Sequence, residues 1–103
     1  MTNNQIGNML KATNLPVFYD HAKKGTKLPY ITYTANSDNF FADDKAYQKV
    51  TDLRVVLYTA TKRTDLEAAI ESVLDSNNIP WNRDETYESQ SEVFLEIYES
   101  EVV

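Results

Sequence analysis

Leu53-Arg54-Val55-Val56-Leu57-Tyr58-Thr59-Ala60-Thr61-Lys62-Arg63-Thr64-Asp65-Leu66-Glu67-Ala68-Ala69-Ile70-Glu71-Ser72-Val73-Leu74 changes its period halfway along. Leu53, Val55 and Leu57 alternate with Arg54, Val56 and Tyr58, which puts one apolar row on a single face of an extended strand. Thr59 to Arg63 is short and polar and reads as a connection. Thr64 with Glu67 three residues later has the spacing of a capping box. Leu66, Ile70, Val73 and Leu74 then recur at helical spacing. A half-buried strand thus runs into an amphipathic helix, and their apolar faces can cover each other.

Outward from this unit, the chain alternates helix and strand signals within one domain. Residues Asn3 to Thr13 carry the stripe Ile6, Met9 and Leu10 and predict a first helix, with Thr2 or Asn3 as cap and Gly7 weakening it. Asn14-Leu15-Pro16 ends it, because proline disfavours helix at the residue before it. Val17-Phe18-Tyr19 is a short extended piece, and Asp20 to Lys27 a basic connection turning at Gly25. Leu28 to Ala35 is β-branched and aromatic and reads as a strand. Asn36 to Lys45 has no period and many turn formers, which predicts a loop. Ala46 to Tyr58 is a long strand leading into the helix, and Asn77-Asn78 stops that helix in a left-handed conformation.

The remainder predicts a hairpin. Ile79-Pro80-Trp81 starts a strand with Trp81, Arg83, Glu85 and Tyr87 on one face; Glu88-Ser89-Gln90-Ser91 turns it. Glu92 to Glu99 follows, with Val93, Leu95 and Ile97 facing inward, Glu92, Glu96 and Tyr98 facing water, and residues from Glu101 onward frayed. The expected fold class is α+β: one mainly antiparallel sheet of four to five strands, with two helices packed on one face and the other face more polar.

Composition excludes several function classes. The 103 residues suit a single domain of residues 1–103, and the hydrophobic fraction of 42% is that of a folded globule. With 0 Cys there is no disulfide, thiolate metal site or cysteine nucleophile. A net charge of -6 argues against a phosphate-backbone binder. No apolar run approaches a bilayer span, and Met1 to Gln5 carry no secretory signal, so a cytosolic product of synthesis is expected.

Chemistry-bearing residues are few. His21 sits beside Asp20, but Lys23 and Lys24 nearby mark a charged loop rather than a general base. Glu92 and Glu96 alternate with apolar residues, the pattern of a solvated face, and Asp43-Asp44 has no spacing of a metal cage. No catalytic residue, cofactor or metal is expected. The strand aromatics Tyr30, Tyr33, Tyr47, Tyr58, Trp81, Tyr87, Phe94 and Tyr98 lack interleaved basic residues and read as cross-strand or protein contacts, not nucleic-acid stacking. Phe40-Phe41 in its polar run admits two readings: rings folded back and buried, or rings exposed to dock into a partner.

Three strings carry a resemblance over nearly the whole chain: Leu15-Pro16-Val17-Phe18-Tyr19, then Leu28-Pro29-Tyr30-Ile31-Thr32-Tyr33, then Asp38-Asn39-Phe40 with Asp43-Asp44-Lys45. Leu57-Tyr58-Thr59-Ala60-Thr61-Lys62 and Trp81-Asn82-Arg83-Asp84-Glu85-Thr86-Tyr87 continue it. The chain resembles the tail completion, tail terminator and tail-to-head joining proteins of tailed bacteriophages and prophages. That resemblance implies a small non-catalytic virion subunit at the head–tail interface, assembled typically as a hexameric ring against tail or connector proteins. It also implies that neighbouring subunits meet through the strand edges and the loop from Asn36 to Lys45, with Phe40, Phe41, Asp43, Asp44 and Lys45; charge complementarity adds the expectation that the basic stretch of Lys23, Lys24 and Lys27 faces a neighbour's acidic loop. The alternatives are a small cytosolic binding or regulatory protein from a mobile element, or an enzyme built on Asp20, His21 and a loop carboxylate.

Overall fold

The computed structural model describes the backbone of residues 3–42 and 46–102, and the side chains of residues 4–36 and 51–101. The period change at residues 53–74 becomes strand β3 (Ala46–Thr59) followed by helix α2 (Thr64–Ser76). Before them come α1 (Asn3–Leu10), a 3-10 turn (Lys11–Thr13), β1 (Val17–Tyr19) and β2 (Tyr30–Ala42); after them come β4 (Asn82–Glu88) and β5 (Val93–Val102). The five strands form one sheet in the order β1-β2-β3-β5-β4. The fold is α+β and the sheet mostly antiparallel. Only β1–β2 runs parallel among the described pairs, because the 20–29 connection carries the chain back to the start of β2.

The register decides which residues meet the helices. Ile31 and Tyr33 on β2 lie opposite Leu57 and Val55 on β3, and Val55 in turn lies opposite Tyr98 on β5. These side chains join Leu53, Ile6 and Leu10 of α1, and Ile70 and Leu74 of α2, in one buried cluster. Both helices therefore cover the same face. Gly7 belongs there for want of a side chain: a Cβ at this position would stand 2.8 Å from the Tyr33 hydroxyl oxygen.

α2 ends as its asparagines predict. Asn78 takes φ 57, the Asn78 amide donates to Asp75 O at 3.0 Å, and the Ile79 amide donates to Leu74 O at 2.9 Å. This is a Schellman closure, with Ile79 and Leu74 both buried against each other's turn. At the other end the capping box does not form. Arg63 is the N-cap and has no side-chain cap bond, and Glu67 turns instead toward Lys62 and Arg83.

Four further expectations are corrected. The predicted loop of 36–45 is strand up to Ala42, paired residue by residue with β3 as far as Ala42↔Ala46; cross-strand hydrogen bonding outweighs the turn preference of Asn36, Ser37, Asp38 and Asn39. The faces of β5 are reversed. Glu96 and Tyr98 are each 1% exposed on the helix side, whereas Val93, Leu95 and Ile97 are only half-buried on the other. Alternation alone cannot say which row faces the helices. The helix-free face is consequently less polar than expected. It carries Phe18, Tyr30, Tyr58, Val56, Leu95 and Ile97 beside Thr32, Thr34 and Arg54. The frayed end begins later than predicted, since β5 reaches Val102.

Candidate functional site

Two regions hold the residues of interest. The first is the β2–β3 ribbon. β5 pairs with β3 only from Thr51 onward, and β1 pairs with β2 only at Ile31, Thr32 and Tyr33. The distal part of the β2–β3 hairpin, from Asp38↔Val50 to Ala42↔Ala46, therefore leaves the body of the sheet. The molecule measures 51 × 27 × 22 Å and its radius of gyration is 14.9 Å, against about 13 Å for a compact domain of this size. Among the described residues no strand pairs with the outer edge of β2 beyond Tyr33, nor with β3 before Thr51. These are unpaired backbone edges, ready to accept another strand.

Phe40 and Phe41 lie within this ribbon at register positions opposite Gln48 and Tyr47. Their side chains, and Asp43, Asp44 and Lys45 entirely, fall outside the described residues. Lys23 and Lys24 are exposed in the turn after β1, where Lys23 O accepts from the Thr26 amide at 3.0 Å. Phe40 stands seven residues beyond Tyr33 along β2, or roughly 23 Å of strand. His21 Nδ1 and Asp20 Oδ2 are 3.0 Å apart with side chains 81% and 61% exposed, which fits the charged-surface reading.

The second region was misread in the sequence. On the helix-side face β4 offers Arg83 and Glu85, β5 offers Glu96 and Tyr98 beside them, α2 offers Glu67 and Glu71, and the β3–α2 loop offers Lys62. Lys62 Nζ bonds Glu67 Oε2 at 3.0 Å and Glu96 Oε1 at 3.0 Å, and also pairs with Glu85. Arg83 Nη1 donates to Glu67 Oε1 at 2.9 Å and Glu71 Oε2 at 3.0 Å. The Tyr98 hydroxyl donates to Glu71 Oε2 at 2.9 Å. Glu67 is 3% and Glu96 1% exposed. Four carboxylates face two cations, so two negative charges stay uncompensated when all are ionised.

The titrations follow from that imbalance. Burial, then the adjacent Glu85 carboxyl, pushes Glu96 up to about 7. The hydrogen bond shared with Glu96, then that from Lys62, holds Glu85 below the usual carboxylate range. Burial, then Glu71, raises the Tyr98 phenol. The contacts to Glu85, Glu67 and Glu96 raise the Lys62 ammonium. With its neighbours ionised, Glu96 Oε2 is buried with no hydrogen-bond donor; Arg83 Nε is 4.0 Å away. Sequence held one usable signal: Arg83 and Glu85 on one face of a strand, with Glu67 and Glu71 a helical turn apart. Which row of β5 completed the group was not encoded locally.

A shallow groove of about 860 Å³ lies where β4 stops short of the end of β5, lined by Trp81, Asn82, Ser100, Glu101, Asp52 and Arg54 among others. Trp81 is anchored there by its indole N–H to Asp75 Oδ1 at 2.9 Å and its edge contact with Tyr98. On the helix-free face the Tyr30 and Tyr58 rings stack at 4.7 Å, with Phe18 edge-on to Tyr30 at 6.1 Å. No helix among the described residues is long and apolar enough to cross a membrane. No protein-family model matches the chain, and no curated protein matches it at a significant level.

Proposed function

We propose that the chain is a structural subunit of a tailed-phage or prophage virion, a tail terminator or head–tail joining protein that works by assembling beside copies of itself in a ring. The observation that carries this reading is the β2–β3 ribbon, which leaves the sheet with both backbone edges unpaired among the described residues. Such an arm, with open backbone edges, suits insertion against a neighbouring subunit. A heterologous ring contact joins two different patches of one subunit, here the ribbon and the Lys23–Lys24 turn. The -6 charge keeps free subunits apart until a specific contact outweighs repulsion.

The experiment is charge reversal at Lys23 and Lys24, both to Glu, followed by sizing and negative-stain microscopy with tail tube and connector proteins. Loss of rings at low salt, with the fold intact by circular dichroism, is the expected result. Unchanged ring size and yield would remove the basic patch from the interface. The stacked Tyr30–Tyr58 face favours one other reading, a monomeric or dimeric binding protein from a mobile element. That reading expects no closed ring at any concentration or with any tail component.

A further inference from the structure

We propose that the Lys23–Lys27 turn of one copy of this chain docks into the groove at the root of the next copy's β2–β3 ribbon, where Asp52, Glu99 and Glu101 receive its lysines. This rests on the self-assembly reading above and gives the basic turn its seat. The turn is a preformed knob. The Thr26 amide donates to Lys23 O at 3.0 Å, and the Thr26 hydroxyl donates to the same oxygen at 2.6 Å. Gly25 takes φ 88, and a Cβ there would meet no atom beyond its chain neighbours within 4 Å, so the tip stands clear of the molecule. Lys23, Lys24 and Lys27 are exposed around it. A turn that is already closed loses little backbone freedom on docking.

The groove of about 860 Å³ is the complementary hole. Asn36 and Asp52, which line it, face each other two register positions before the ribbon leaves the sheet. Asp52 also lies directly opposite Glu101 across the β3–β5 pair, and Arg54 opposite Glu99. Like charges facing each other on neighbouring strands repel, so the Asp52–Glu101 pair destabilises the free subunit. An ammonium set between them turns one repulsion into two attractions. Arg54 is the one cation of the described lining, against the three carboxylates Asp52, Glu99 and Glu101. Among the described residues, neither the lysines of the turn nor these carboxylates have an ion-pair partner within the chain. Opposite charges on two different patches of one chain are what a heterologous contact between copies needs. The groove is open and mostly polar, which suits a neighbour's surface better than an enclosed small molecule. Exposed charges pair weakly, so this contact sets orientation and register while the ribbon supplies the hold.

The test is a charge swap, read by native mass spectrometry at low ionic strength with tail tube and connector proteins. Lys23→Glu with Lys24→Glu reverses the knob; Asp52→Lys with Glu101→Lys reverses the groove. All four side chains are exposed, so both variants keep their fold, checked by circular dichroism. Each reversed chain alone is expected to assemble about tenfold less than the wild type, because its knob and groove carry like charge. Mixed in equal amounts, the two are expected to recover assembly. The reversed knob then meets the reversed groove and the native knob the native groove, so the copies alternate and their number is even. A reversed groove that assembles like the wild type, or a folded mixture that stays unassembled, overturns the proposal and leaves self-assembly standing. A wild type that stays monomeric with every tail component overturns both.

Discussion

The α2–β4–β5 body and the β2–β3 ribbon are built on opposite principles. In the body, apolar rows meet two helices, and even buried carboxylates find most of their partners inside the chain. In the ribbon, two strands pair only with each other among the described residues and leave the sheet. The body accounts for its own stability. The side chains of the ribbon lie outside the described residues, and its backbone edges carry no further strand among the described residues. Cutting into each region separates the two roles.

The largest effect belongs to the body. Leu74→Ala removes a side chain that is 1% exposed and holds the Schellman contact with Ile79, so it should cost about 2 to 5 kcal/mol in urea unfolding. A cost below about 1 kcal/mol would mean that α2 is not packed as described. Arg83→Met comes next, since it leaves Glu67 and Glu71 short of a donor. The expected loss is about 1 to 3 kcal/mol, and adding Glu71→Met should recover part of it.

The pH dependence has an unusual sign. Glu96 is pushed up to about 7, above its ordinary value near 4.5, so the folded chain binds this proton more tightly than the unfolded one. Its contribution is present in full below the unfolded value and is lost as pH rises through about 7. Thermal stability should therefore fall between pH 5 and pH 8, by up to roughly 3 kcal/mol from this group. Glu96→Gln should flatten that slope. A wild-type slope of the opposite sign would show Glu96 ionised across the range.

Much of this contrast was legible in the residues. The period change at 53–74, the Asn77-Asn78 stop and the shared face of Arg83 and Glu85 all follow from local chemistry, and they place the body correctly. Two features were not local. Glu96 looks solvated in its own strand; only the pairing Val55↔Tyr98 and Leu57↔Glu96 turns that row toward α2. Asn36 to Ala42 looks like loop, and only thirteen consecutive partners on β3 make it strand. In both cases long-range register decided what short-range preference could not.

The ribbon should matter least to stability. Replacing residues 38–50 by Asn-Gly closes the hairpin next to Ser37↔Thr51 with a two-residue turn. The body should then unfold within about 1 kcal/mol of the full chain, because no described core contact is removed. A much larger loss would make the ribbon part of the fold rather than an arm.

The same shortened chain gives the decisive comparison. Native mass spectrometry of the full-length and ribbon-shortened proteins, each with tail tube and connector proteins, counts copies directly. The full-length chain should form a closed species of one stoichiometry, and the shortened chain should stay monomeric although folded. A full-length chain that remains monomeric with every tail component, or identical assemblies from both chains, would contradict assembly through the ribbon.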